Sequence, residues 1–208
     1  MPGKLEDKQS ARLQRSNRWI FGVLLLCAIA GLASSFSLSV EKLRLLQDPA
    51  ATLSCSFNAV LNCASVMKTP QAIVFGFPNS FIGLMEYPVV ITLAVAGLAG
   101  VRFPRMFMLV AQVWFGLGLI FAYWLFFQSI YVIQILCPWC LVVTLATTLL
   151  FETLLRYNLR ENNLSLPETW RPRVVGWLER GYDKALVAVW IAVMVCLVLV
   201  QFGDALFA

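Results

Sequence analysis

Between Met106 and Phe151 the chain runs for 46 residues without a single Asp, Glu, Lys or Arg. As one α-helix this run would be about 69 Å long, more than twice the roughly 30 Å thickness of bilayer hydrocarbon. It must therefore fold back on itself. Pro138 is the one proline in the run, and proline favours the first helical position, where its missing N–H is of no consequence. The run is thus expected to divide into a helix over about 106–129 and another over 138–157. Gln128, Ser129 and Gln134 supply the polar side chains for a surface turn reaching Leu136.

Three further stretches have the length and apolarity of membrane spans: Trp19–Val40, 22 uncharged residues; Phe81–Val101, interrupted only by Glu86; and Ala185–Gly203, 19 residues. Hydrophobic residues make up 60% of the chain and charged ones 13%, with a mean hydropathy of +0.79, leaving too little polar surface to coat a soluble globule. The 15 Phe and 7 Trp exclude a disordered chain. The expected fold class is an all-α integral membrane protein: a tail over 1–18, a four-helix transmembrane bundle over 19–157 with an outer loop at 41–80, a polar connection over 158–184, and a fifth transmembrane helix at 185–203. The first apolar run exceeds the 7–15 residues of a signal-peptide core, so it is expected to stay as a span. Trp170, Trp177 and Tyr182 in the connection suit the lipid boundary.

The formal net charge of +5 reads as topology rather than as affinity for nucleic acid. Thirteen Lys and Arg fall in the N-terminal tail, the 102–105 turn and the 156–184 connection, and only three (Lys42, Arg44, Lys68) in the loop 41–80. The positive-inside rule then places the N-terminus in the cytoplasm, and the loop and the start of the fourth helix outside, where disulfides persist. The chain has no histidine, which removes the commonest general base and metal ligand. Cysteine is left as the main carrier of chemistry.

Cys137-Pro138-Trp139-Cys140 is a C-x-x-C at the outer start of a helix. Unpaired N–H groups and the positive end of the helix dipole stabilise a thiolate there, the form that disulfide exchange requires. Cys55 and Cys63, with seven residues between them, lie in the loop on the same side. Two such pairs can pass electrons by thiolate attack and mixed disulfides if they can approach one another; the alternatives are a structural staple in the loop and inert helix cysteines. A zinc set is disfavoured by the long gap in one pair, and no metal is expected. Cys27 and Cys196 lie inside the first and fifth spans as small packing residues. Glu86, a carboxylate inside the second span, is either a proton-relay candidate or a neutral acid near the interface. Phe75, Tyr87 and Trp139 are candidate pocket walls.

Taken in order, the loop pair, Thr69 six places after Cys63, Phe75-Gly76, Asn79-Ser80, Gly83 and the C-x-x-C opening the fourth helix resemble the vitamin K epoxide reductase family. The likeness is strongest to its bacterial homologues that reoxidise disulfide-forming proteins, and it covers about residues 18–157. The resemblance implies that Cys55 is the exposed cysteine that meets a soluble partner, Cys63 its companion, Cys137 the inner cysteine that exchanges with the loop, and Cys140 the one facing a quinone. It places Asn79 at a quinone carbonyl and Thr69 near the same ring. Thr144 stands where vertebrate members carry a ring-contacting tyrosine, and Ser56 where they carry an aspartate.

The function this implies is a quinone-dependent thiol oxidase of the bacterial inner membrane. It would take electrons from a separate thioredoxin-fold, extracytoplasmic disulfide-forming protein and pass them through both cysteine pairs to a menaquinone or ubiquinone. Some bacterial members continue into a thioredoxin-like domain, whereas this chain ends at Ala208; hence the expectation of a separate partner. Two other readings stand beside it: an unrelated four-helix quinone-linked oxidase, and a non-enzymatic membrane assembly or docking subunit with a stapled loop.

Overall fold

A computed structural model describes the backbone of residues 3–50, 52–56 and 60–207, and side chains from 17 to 203 within those ranges. The fold is all-helical: α1 (Gly3–Gln47), α2 (Cys63–Met67), a 3-10 turn (Pro70–Ile73), α3 (Ser80–Leu98), α4 (Arg105–Phe127), a π-helical segment (Gln128–Ile133), α5 (Pro138–Arg160), α6 (Arg171–Glu179) and α7 (Tyr182–Phe207). Five of these are long and apolar enough to cross a membrane: Asn17–Gln47, Ser80–Leu98, Arg105–Ile133, Pro138–Arg160 and Tyr182–Gly203. Pro138 takes the first turn of α5, as its chemistry requires.

Several boundaries depart from the sequence reading. α1 does not stop at Val40 but continues to Gln47, because Glu41, Lys42 and Arg44 leave the hydrocarbon without leaving the helix. Charge marks the edge of the lipid there, not the end of the hydrogen-bond ladder. The expected surface turn after residue 128 is instead a π-helical continuation of the span to Ile133. The chain reverses at Gln134, which adopts a left-handed conformation with φ 56°. Residues 158–184 are not a plain connection: α5 runs to Arg160, α6 forms within them, and α7 begins at Tyr182.

α1 packs against α3 and α5, and α4 against α5. Ile20, Phe21, Leu24 and Ala28 of α1 meet Tyr87, Val90, Leu93 and Ala94 of α3, with Leu150 and Leu154 of α5 closing the core. Glycines set the α1–α3 distance: a Cβ on Gly31 would lie 2.2 Å from the Tyr87 ring, and one on Gly97 would lie 2.4 Å from Phe21. Small residues serve this purpose in membrane helices, where close backbone approach replaces a hydrophobic driving force.

At the end of the bundle away from the cysteines, buried Asn158 donates to Gln112 Oε1 at 2.9 Å and accepts from Asn163 Nδ2 at 2.9 Å, joining α4 to the end of α5. Two polar contacts hold the first half of α7. Arg156 of α5 pairs with Asp183 and donates to the Leu178 carbonyl, while Trp190 donates its indole N–H to the Tyr123 hydroxyl at 2.7 Å. Met194 and Phe202 of α7 are buried against Phe126, Ile130 and Leu136, while Leu186, Val189 and Val200 are exposed apolar surface.

Replacing Gly31 by Ala should lower thermal stability in detergent by about 1–3 kcal/mol, the usual range for overpacking. The same change at Gly22, where a Cβ meets nothing within 4 Å, should stay within about 0.5 kcal/mol. Equal melting shifts for the two would contradict this account of the α1–α3 contact.

Candidate functional site

The loop cysteines reach α5 through backbone pairing. Asn62 N–H donates to the Leu136 carbonyl at 3.0 Å, and Leu136 N–H donates to the Val60 carbonyl at 2.8 Å, a parallel bridge between Leu61 and Leu136. Asn62 and Leu136 immediately precede Cys63 and Cys137, so the pairing carries Cys63 to Cys137. The Asn62 side chain caps α2 by accepting from Ser65 N–H at 3.1 Å and takes a second hydrogen bond from Ser56 Oγ at 3.1 Å. The extended end of α1 holds the other side of the loop. Buried Glu41 accepts from Ser54 Oγ at 2.6 Å, and Lys42 Nζ donates to the Met67 carbonyl at 2.6 Å.

Cys55 and Cys63 are joined in a disulfide, and Cys137 and Cys140 are free thiols. Cys137 Sγ stands 3.3 Å from Cys63 Sγ. Cys137 is the N-cap of α5 and accepts the Cys140 backbone N–H at 3.4 Å. Its thiol is pulled below the usual cysteine range, chiefly by a hydrogen bond from the Cys140 thiol, against the opposing effect of burial and with help from the backbone N–H groups of Cys140 and Trp139. A thiol that ionises more readily than usual therefore faces a disulfide sulfur at contact distance, the approach that exchange requires.

One expectation needs correction. Cys55 is not exposed: its relative accessibility is 2%. It lies in an apolar cluster with Leu38, Leu45, Leu53 and Met67, against which Trp139 packs. The continuation of α1 to Gln47 supplies Leu45 to this cover, and no sequence signal in a presumed loop announced it.

Beneath the sulfurs lies a cavity of about 170 Å³, lined by Cys137, Cys140, Thr69, Asn79, Tyr87 and Thr144 among the expected site residues. Phe75 and Trp139 are absent from its lining. Phe75 is an exposed ring packed on Phe121 at 5.4 Å, so it backs a wall residue rather than forming the wall. Trp139 turns outward to the loop cluster because Cys140, its neighbour on the helix, takes the inward direction. Asn79 lines the cavity, but its amide is engaged elsewhere: Nδ2 donates to the Gln71 carbonyl at 2.7 Å and Oδ1 accepts Val74 N–H at 3.1 Å. It fastens the 3-10 turn to the start of α3.

The hydroxyls of the cavity are similarly occupied. Thr144 donates to the Cys140 carbonyl at 3.0 Å, Thr69 to the Val66 carbonyl at 2.7 Å, and Tyr87 shares a hydrogen bond of 2.9 Å with Thr147. Sequence reasoning did not single out Asn62, Lys42 or Thr147, whose roles depend on contacts across elements. The capping pattern of Asn62 was the one local signal available. α3 and α4 face each other across the cavity with little direct packing, and the walls between them, including Ile82, Phe121 and Leu125, are apolar.

The model of the vitamin K epoxide reductase family matches residues 22–155, well over half of the 208 residues. The match takes in α2 to α4, most of α1 and α5, and all four clustered cysteines. Comparison with curated proteins finds no match.

The electrostatics of Cys137 are open to direct measurement. Its alkylation by iodoacetamide should rise with pH through a midpoint below the roughly 8.5 of an unperturbed thiol. Cys140→Ala removes the main stabiliser of the anion and should move the midpoint upward, slowing reaction at neutral pH; Cys140→Ser, which keeps an O–H donor, should move it less. Coincident midpoints for all three proteins would contradict this assignment.

Proposed function

Because the chain belongs to the vitamin K epoxide reductase family, we propose that it is a membrane thiol oxidase that passes electrons from a thioredoxin-fold partner, through Cys55–Cys63 and then Cys137–Cys140, to a quinone of the menaquinone or ubiquinone type. The observation that carries this reading is the 3.3 Å approach of Cys137 Sγ to Cys63 Sγ. A structural staple has no use for a thiol held against its sulfur, so the docking-subunit reading loses its support.

The exchanges balance bond by bond. A partner thiolate attacks Cys55, breaking the Cys55–Cys63 bond and forming a mixed disulfide. The partner's second thiolate then releases its own disulfide and leaves both loop cysteines reduced. Cys63 attacks Cys137 of an oxidised C-x-x-C, freeing Cys140, and Cys55 attacks Cys63 to restore the loop disulfide and free Cys137. The pattern of one closed and one open pair corresponds to the point just after this step, with both electrons on the inner dithiol. Because Cys55 is buried, the segment around it must open before a partner can reach it.

The cavity suits a quinone headgroup. Its walls are mainly apolar, the Cys137–Cys140 dithiol lies at one end, and its size falls below the roughly 300 Å³ of a typical ligand pocket. That room takes a ring, while the sparsely packed α3–α4 gap offers a way out for a prenyl tail. Cys140 and Thr144 flank the ring position from α5, and Thr69 and Asn79 from the loop and α3. When bound, the quinone supplies a two-electron, two-proton acceptor. The chain's own part is to hold the inner dithiol, exclude water and deliver its electrons. The cysteine end faces the extracytoplasmic space of a bacterial inner membrane, with the N-terminus in the cytoplasm, supported by the thirteen-to-three division of Lys and Arg.

The test is quinone reduction in proteoliposomes driven by a reduced thioredoxin-fold protein. Wild type should turn over, and Cys140→Ala should fall to the protein-free background. Unchanged turnover in that variant would overturn the mechanism.

A further inference from the structure

Among the residues lining the cavity, Glu86 is the one carboxylic acid and Lys42 the one permanent cation; the remaining ionisable groups there are Tyr87, Cys137 and Cys140. Glu86 lies seven residues beyond Asn79 along α3, about 10 Å deeper. It is level with Thr147, since its neighbour Tyr87 bonds that hydroxyl. Its carboxyl reaches across the α3–α4 gap: a Cβ on Gly118 of α4 would lie 3.5 Å from Glu86 Oε2. The Trp114 indole is its hydrogen-bonding neighbour from the same helix.

Two facts separate Glu86 from the threonine hydroxyls and the Asn79 amide of the cavity. Thr69, Thr144 and Thr147 have given their hydroxyl protons to backbone carbonyls, and the Asn79 amide is tied to the loop. Glu86, by contrast, forms no ion pair among the described residues. Lys42 is held by the Met67 carbonyl at the cysteine end. A carboxylate charge without a counter-ion in hydrocarbon is costly, so the neutral acid is the form these surroundings favour. Among the described residues no acceptor takes a hydrogen bond from its carboxyl.

We propose that Glu86 is the proton donor of the cavity: its carboxyl holds a proton for the quinone carbonyl oxygen that lies farther from the cysteines. This rests on the quinone-reductase reading above. Closing Cys137 and Cys140 to a disulfide breaks two S–H bonds, forms one S–S bond and releases two electrons and two protons. The conversion of quinone to hydroquinone takes up the same number of each. Glu86 passes one proton to the far oxygen and regains one of those leaving the thiols, ending the cycle protonated. The other thiol proton serves the oxygen nearer the cysteines.

The experiment compares wild type, Glu86→Gln and Glu86→Asp in proteoliposomes with a reduced thioredoxin-fold protein and a short-chain ubiquinone. Turnover is combined with infrared difference spectra of quinone binding to the reduced protein. Glu86→Gln should lower kcat by about 100-fold, the lower end of a general acid's contribution, with KM for quinone changed by less than about threefold; Glu86→Asp should recover part of the rate. In the spectra, wild type should show a protonated-carboxyl C=O band that shifts when quinone binds. That band should move in Glu86→Asp and vanish in Glu86→Gln. The infrared signal of the wild-type protein does not depend on how well any variant folds. A kcat for Glu86→Gln within about twofold of an active wild type, a loss confined to KM, or the absence of a quinone-sensitive carboxyl band would each overturn the proposal and leave the quinone-reductase reading standing. A wild-type protein unable to reduce quinone would remove that reading and this inference with it.

Discussion

The pairing of the loop with the approach to α5 determines where the chemistry can occur. Two backbone hydrogen bonds, Asn62 to Leu136 and Leu136 to Val60, fix one short stretch of irregular chain against another. Because each stretch ends in a cysteine, sulfur is placed against sulfur. A hydrogen bond at such a site contributes only about 1 kcal/mol to stability. Its importance is positional, since exchange between thiol and disulfide requires contact. The extended α1, the Glu41 and Lys42 anchors and the small helix α2 all serve to hold this loop over the end of the bundle.

The membrane bundle supplies the second requirement, a dry site next to the inner pair. α1, α3 and α5 pack tightly through glycine notches and a continuous apolar core, whereas α3 and α4 stand apart. The cavity occupies that space. Its polar groups are largely satisfied internally, which keeps an apolar site stable without a ligand and leaves few groups free to act on one. Glu86 has no ion-pair partner among the described residues, and it lies at the α3–α4 gap against Gly118.

The spans were legible in the sequence because their signal is a matter of length and charge: 46 uncharged residues permit no single crossing, and one proline marks where the second helix begins. The four reactive cysteines were legible because spacing and side of the membrane constrain them together. Features that depend on contacts between distant residues were not legible. The α1 extension looked like loop because its charges resembled a boundary, and with it the burial of Cys55 was lost. The π-helical segment at 128–133 was read as a turn because its polar residues, Gln128 and Ser129, suit either one. Asn79 bears a side chain suited to a quinone carbonyl, yet half of its hydrogen-bonding capacity goes to Gln71 and Val74, a fact visible only once the 3-10 turn is folded beside it.

The central claim is that the loop pair and the helix pair form one exchange unit through Cys63 and Cys137. It is tested most directly by removing the competing partner of each: in the double variant Cys55→Ala/Cys140→Ala, the thiols of Cys63 and Cys137 should join under mild oxidation. Peptide mass spectrometry of the unreduced protein should then find residues 63 and 137 linked within one chain. If Cys63 and Cys137 instead remain separately alkylatable, the sulfurs do not meet in the membrane protein and the relay does not exist.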